Sequence, residues 1–339
     1  MVLSVVILLF SLVVILIGAG LFTNGIEWLG KKMNLSEGAV GSVLAAVGTA
    51  LPESMIPIIA ILSGDVASGH VGIGAILGAP FMLGTLAFFV VGISAISFKR
   101  RKNGRKVVVD PSIFQRDIRF FLIVFTISVS MAFVPYQWIR YAVAVLLVLL
   151  YVYYVYHTVR DGKGVGETEI EPLVFAKSKP VPALFPVILQ VGLALVLIAV
   201  AARFFVDAMT TVSAVIGVSP LVLSLLITPV ATELPEKFNS ILWLRDDKDT
   251  LALGNITGAM VFQSSMIPAL GIAFTTWDLN VAALVSAGLV LLSSLIVFIS
   301  SFRLKELNAG VLIFSGSFYL LYIGYVVIGL AAGWPLDAH

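Results

Sequence analysis

Thr49-Ala50-Leu51-Pro52-Glu53 and Thr232-Glu233-Leu234-Pro235-Glu236 are one word written twice, 183 residues apart, each inside a long apolar run. The word sets a helix breaker beside a carboxylate where lipid penalises both. A charged side chain at mid-bilayer costs roughly 2.5–3.5 kcal/mol on insertion scales. Proline removes a backbone hydrogen bond and frees a carbonyl one turn upstream. Doing this at matching places in two halves of one chain points to a shared polar site at the bilayer centre, and its expected occupant is a cation.

The rest of the composition agrees with a membrane setting. The chain has 339 residues, 60% of them hydrophobic, and a mean hydropathy of +1.08, too little polar surface for a soluble globule of this size. A net charge of +2 carries no nucleic-acid message, because the basic residues sit in short loops. Cysteine is absent, which excludes disulfides and thiolate chemistry. The first apolar run, 2–22, lacks a basic leader and a small-residue cleavage site, so it reads as a retained helix.

Apolar stretches of about 17–25 residues predict ten spans, at 2–22, 38–63, 70–97, 119–134, 137–157, 183–206, 217–243, 251–275, 279–301 and 308–331. Six of the eight residues from Lys99 to Lys106 are basic, which separates the third span from the fourth. With ten spans, 18 of the 21 basic residues fall in or beside the odd-numbered loops, leaving Arg140, Arg203 and Lys237. The positive-inside rule then places both termini outside the cytoplasm, in a multi-pass protein of the cell membrane. Five spans per half make the second half enter upside down, the inverted-repeat plan of secondary transporters, whose sites form at the midplane from interrupted helices. The expected fold is therefore an all-α integral membrane protein, ten transmembrane helices in two inverted five-helix repeats. The first repeat is 1–160, a cytoplasmic linker is 161–182, and the second repeat is 183–339. The repeat extends beyond the word: Phe22 matches Phe205, and Gly74-Ala75-Ile76-Leu77-Gly78-Ala79 matches Gly254-Asn255-Ile256-Thr257-Gly258-Ala259.

Of 19 acidic residues, Glu53, Glu233 and Glu236 fall deep inside predicted spans. A hard cation such as Ca²⁺ takes 6–8 oxygens from carboxylates, carbonyls and amides. Glu53 and Glu236, the hydroxyls of Thr49 and Thr232, and carbonyls freed near the helix breaks at Pro52 and Pro235 offer that mixture. Glu233 shares a helical face with Glu236. The bland alternative, protonated glutamates tying helices together, is served as well by glutamine. Glu233 and Lys237, at i and i+4, read either as an internal ion pair or with Lys237 as a tethered substitute for a departed ion, an internal counter-charge. The two Gly-x-x-x-Gly segments read first as close helix packing, which brings Asn255 toward the site as polar lining and Gln263 toward it as a ligand. Asp246, Asp247 and Asp249 beside Lys248 read as a solvated loop, with a peripheral cation sensor as the alternative. His70, His157 and His339 form no zinc-protease motif, and no nucleophile elbow or phosphate loop occurs. No enzyme, ATP-driven pump or cofactor is expected.

At these residues the chain resembles the cation/Ca²⁺ antiporter superfamily, which includes the sodium/calcium exchangers. That family carries two inverted α-repeats, each with a Gly-Thr-Ser-Leu-Pro-Glu word and a later Gly-Asn-x-x-Gly-Ser-Asn-type segment. Here they correspond to 48–83 and 231–263. The resemblance implies that Glu53 and Glu236 are the paired carboxylates, with Thr49 and Thr232 adding oxygens. It implies further that the first and sixth helices, carrying Gly18-Ala19-Gly20 and Ala201-Ala202, slide to switch access. The family serine is replaced by Ala50, Glu233, Ala79 and Ala259, and the polar position after it is Leu83 in one half and Gln263 in the other. These losses speak against a three-sodium stoichiometry. The Gln263-x-Ser265-Met266 stretch is similar to the eighth span of proton-coupled cation exchangers. A site of glutamates with few neutral sodium ligands suits proton exchange, since desolvation favours the protonated carboxyl.

The expected function is exchange of a divalent cation, Ca²⁺ first, against Na⁺ or H⁺ by alternating access, with the bilayer and inorganic cations as the only partners called for. The alternatives are a passive cation channel, an antiporter of the same fold for Mg²⁺, Mn²⁺ or a monovalent ion, and a structural membrane protein.

Overall fold

The computed structural model describes residues 1–32, 53–160, 171–177, 179, 181–304, 307–334 and 336; for residues 159, 234–236, 239, 303 and 304 it describes the backbone alone. The chain is helical almost throughout. In order, the helices are α1 (Val2–Lys32), α2 (Glu53–Leu62), α3 (Val66–Met82), α4 (Phe88–Ser97), α5 (Pro111–Ser130), α6 (Gln137–Arg160) and α7 (Leu184–Ile216). They continue with α8 (Pro220–Thr232), α9 (Leu234–Arg245), α10 (Asp249–Phe274), α11 (Val281–Leu304), α12 (Ala309–Gly316) and α13 (Phe318–Ala332). Among the described residues, seven helices are long and apolar enough to cross a membrane: α1, α3 with α4, α6, α7, α10, α11, and α12 with α13.

Local chemistry sets most of the boundaries. The Asp65 side chain accepts from Ser68 N and caps α3; Asp110 and Ser219 cap α5 and α8, each followed by proline at the first helical position. Gly217, at φ 71°, ends α7 in the left-handed region. Several predicted limits shift accordingly. The run predicted at 2–22 continues as helix to Lys32, and the one predicted at 183–206 to Ile216. The short fourth span begins at Pro111 rather than 119, which brings Arg116 and Asp117 into α5. The seventh predicted span is two helices meeting at Glu233, because Pro235 has no N–H for the Ala231 carbonyl. The tenth is likewise two, joined at Ser317. Between α3 and α4 the rod passes through one π-helical turn, Leu83–Ala87, just after Pro80.

Two apolar clusters organise the bundle. The larger joins α3, α4, α5, α10, α11 and α13 around Phe81, Phe88, Phe121, Phe125 and Trp277. The second belongs mainly to α1 and α7, where Leu8, Ile15 and Phe22 meet Ala194, Ile198, Ala201 and Phe205. Phe22 and Phe205, matched in the sequence repeat, are both buried there. The buried positions of α1 recur every three or four residues, Leu8, Ser11, Ile15, Gly18, Phe22 and Gly25, while Phe10, Val13 and Ile17 on other faces are exposed. This is the single apolar stripe of a helix packed along one partner, with lipid as the natural cover for the rest. A Cβ on Gly18 would sit 2.7 Å from Ile198 Cγ1, so the small residue sets the closeness of α1 to α7.

The loops at the end opposite the termini are knotted together. Lys106–Val107 and Leu307–Asn308 pair as a two-residue antiparallel ribbon. Arg101 donates to both oxygens of Asp249, at 2.6 and 2.7 Å, and to the carbonyls of Leu244 and Gly104. Asp249 also accepts from Val108 N at 2.8 Å. The expectation of a solvated acidic loop is therefore corrected for Asp249, whose side chain is 1% exposed. Asp246 stays in solvent, and Asp247 accepts from Lys102 N. The reason for the difference is that Arg101 Nη2 donates to both Asp249 oxygens while Nε and Nη1 are held by backbone carbonyls, so the desolvated carboxylate is met by an equally fixed charge.

Candidate functional site

Glu53 opens the described part of α2, and its Oε2 accepts from Gln263 Nε2 at 2.9 Å. Gln263 is buried at mid-length of α10, 210 positions later in the chain. A glutamate from one half and an amide from the other thus meet inside the bundle. Asn255, two turns earlier on α10, donates to Ser240 Oγ on α9 at 3.1 Å. Ser240 lies one turn after Glu236, so α10 contacts both helices that carry the repeated word.

Thr232 is the last residue of α8, buried, and its hydroxyl donates to the Thr228 carbonyl at 3.0 Å. Its lone pairs remain available to a further donor or cation. Glu233 follows at the helix break, fully buried. Glu236 lies in the first turn of α9. The side chains of Pro235 and Glu236, and all of Thr49 and Pro52, lie outside the described residues.

A hydroxyl ladder accompanies these groups. Ser224, Thr228 and Thr232 are spaced four apart on α8; Ser224 and Thr228 share a hydrogen bond at 3.0 Å, and Ser224 donates to the Val71 carbonyl at 2.7 Å. That Ser-x-x-x-Thr-x-x-x-Thr spacing is legible in the sequence; Thr232 is an expected site residue, and Ser224 and Thr228 are not. α8 approaches α3 closely beside it: a Cβ on Gly74 or Gly78 would fall on the backbone of Leu221 or Leu225. The first Gly-x-x-x-Gly segment therefore packs as expected. Gly254 and Gly258 meet no described atom within 4 Å.

Lys237 is 4% exposed. It borders a cavity of about 70 Å³ with Ala87, Val91, Phe238, Ile241 and Ile256. Among the described residues, no Glu233–Lys237 ion pair forms within 4.0 Å.

Asp117, in α5, is a buried acid outside the expected set. Its oxygens accept from Tyr154 OH and Thr257 Oγ1, both at 2.8 Å, and from Arg116 at 3.3 Å. This binds α5, α6 and α10 together below the Gln263 level. The signal that could have found it is the Asp110-Pro111 cap, which moves the helix start upstream and draws Asp117 inside.

On the terminal side a cavity of about 790 Å³ lies between the ends of α2, α3, α6 and α10, bordered by Asp65, His70, Arg140, Tyr141, Thr275 and Asp278. Ile61 and Ala273 also line it. At 1.5 Å per residue they stand about 12 and 15 Å along their helices from Glu53 and Gln263. The cavity is thus in line with the Glu53–Gln263 contact. Ser68 hydrogen bonds, hydroxyl first and then amide, hold the Asp65 carboxyl below the usual carboxylate range at its rim.

Comparison with known proteins adds four findings. The family model described as "Sodium/calcium exchanger protein" matches residues 3–160 and 186–330. The putative antiporter CaxA of Alkalimonas amylolytica is 25% identical over 317 residues, 91% of this chain and 92% of that protein. Among solved structures, the H⁺/Ca²⁺ exchanger CAX superposes with a TM-score of 0.73 at 16% identity, covering 97% of this chain and 87% of that one. The sodium-calcium exchanger NCX_Mj, soaked with Na⁺ and Sr²⁺, gives 0.56 at 21% identity, covering 95% and 98%.

Proposed function

The chain belongs to the sodium/calcium exchanger protein family, and from that premise we propose that it exchanges a divalent cation, Ca²⁺ first, against Na⁺ or H⁺ by alternating access. The observation that carries the reading is the part-buried Glu53–Gln263 contact at 2.9 Å, which joins a glutamate of the repeated word to an amide 210 positions later in the chain. A carboxylate set there beside an amide brings together two of the oxygen-bearing groups that a hard cation takes.

In this reading Glu53 and Glu236 hold the ion. Thr49, Thr232, Glu233 and Gln263 add oxygens, and Pro52 and Pro235 free carbonyls toward the site. Ten membrane passes in two inverted halves, 1–160 and 183–339, are the arrangement that brings both words to mid-bilayer. Linker 161–182 then lies in the cytoplasm and both termini outside it. The broken pair α8–α9 and the basic loops support that plan. Separate apolar clusters support α1 and α7 as the pair that moves against a fixed core.

The test is Ca²⁺ flux in proteoliposomes with sodium and proton gradients imposed separately. Uptake driven by one gradient identifies the coupling ion, and E53Q and E236Q abolish it. Flux that ignores every opposing gradient would identify a passive conduit instead.

A further inference from the structure

Lys237 follows Glu236 directly and stands one turn after Glu233, and the cation-binding reading leaves it without a role. A positive charge beside a cation site opposes the arriving ion, and burial also strips the ammonium of water. At 4% exposure the residue does not reach out to an aqueous surface. Among the described residues no carboxylate lies within 4.0 Å of its ammonium. Lys237 borders a small cavity walled by apolar side chains of the π-turn, α4, α9 and α10. Its amide donates to the Glu233 carbonyl at 3.2 Å, so the two side chains leave α9 and the break on one face, a turn apart. A four-carbon stem with rotatable bonds spans that turn.

We propose that Lys237 is a tethered internal cation: it withdraws to the cavity beside the π-turn when an ion occupies the site, and swings toward Glu233 when the ion leaves. Charge balance motivates the assignment. Glu53, Glu233 and Glu236 together bring three negative charges, and Lys237 reduces the total to two, the complement of a single divalent ion. The emptied site then needs one fewer transported monovalent cation. Glu233 and Lys237 belong to the second copy of the word alone, since the first has Ala50 and Ser54 at the matching positions. The inference rests on the antiporter reading and specifies how that same site counts its ions.

The experiment compares wild type with K237M in proteoliposomes, reading the Hill coefficient for the driving cation. Equilibrium Ca²⁺ affinity of the purified proteins is measured by calorimetry in parallel. K237M is expected to raise the Hill coefficient by about one and to tighten Ca²⁺ binding by about tenfold or more, because an internal competitor has been removed. Unchanged coefficient and unchanged affinity would overturn the proposal, and so would weaker Ca²⁺ binding. If K237M binds without transporting, the affinity alone decides. K237Q carries the same two readings should the methionine variant not fold. Wild-type vesicles without any gradient-driven uptake would defeat the antiporter reading; driven uptake with an unaltered K237M would defeat this one only.

Discussion

Gln263 Nε2 donates to Glu53 Oε2 at 2.9 Å, and through that bond α10 fixes the direction of a carboxylate on α2. The amide is buried and the carboxylate half-buried, so the bond is sheltered from water on the Gln263 side. A hydrogen bond to a charged group contributes about 1.5–3 kcal/mol. Q263A is therefore expected to weaken Ca²⁺ binding by roughly ten- to a hundredfold, measured as the concentration for half-maximal uptake. An unchanged value would show that Glu53 is positioned by other contacts.

Arg101 and Asp249 predict a stability effect far from the ion. Removing one partner of a buried pair leaves the other charge uncompensated, at about 3–5 kcal/mol. R101A and D249A should each lower the melting temperature of the purified protein sharply, and the double variant should cost much less than the sum. Additive losses would mean that the two side chains act independently.

The two Gly-x-x-x-Gly segments should respond unequally. G78A drives a methyl group onto the Leu225 backbone and is expected to destabilise by about 1–3 kcal/mol. Any shift from G258A should be within roughly 0.5 kcal/mol, as its Cβ meets no described atom. Thermal unfolding of the two variants side by side is the check.

Asp65 gives a pH dependence with a definite sign. Its folded-state carboxyl is held low by Ser68, so the cap contributes stability above the unfolded value and loses it as pH falls through the folded one. D65A should cost about 1 kcal/mol or less at neutral pH. The gap to wild type should close below about pH 4. A gap that persists in acid would assign the effect to packing.

The all-helical membrane architecture was readable because lipid enforces long apolar runs, and among the described residues seven helices are long and apolar enough to cross a membrane. Pro235 announced the break at Glu233, and the first glycine pair announced a close helix approach, whose partner the structure shows to be α8. What escaped depended on partners distant in the chain. Asp249 looked like any loop aspartate until folding brought Arg101 to it from 148 residues away. Asp117 was placed outside a span because hydropathy averages hide a helix that starts with polar turns. Gln263 could be nominated from its apolar surroundings, but its bond to Glu53 could not be read from spacing. Thr49 and the Glu236 carboxyl, central to the proposed site, stay expectations drawn from the repeated word.

Donors and acceptors are exchanged across the middle of the chain at every level of the bundle. Glu53 takes its amide from Gln263, Asp117 its hydroxyl from Thr257, and Asp249 its guanidinium from Arg101. The Ser224 and Ser293 hydroxyls reach back to the carbonyls of Val71 and Gly84. Cutting the chain at its middle would therefore remove a partner from polar groups on both sides of the cut, and the two pieces are expected to need one another to fold.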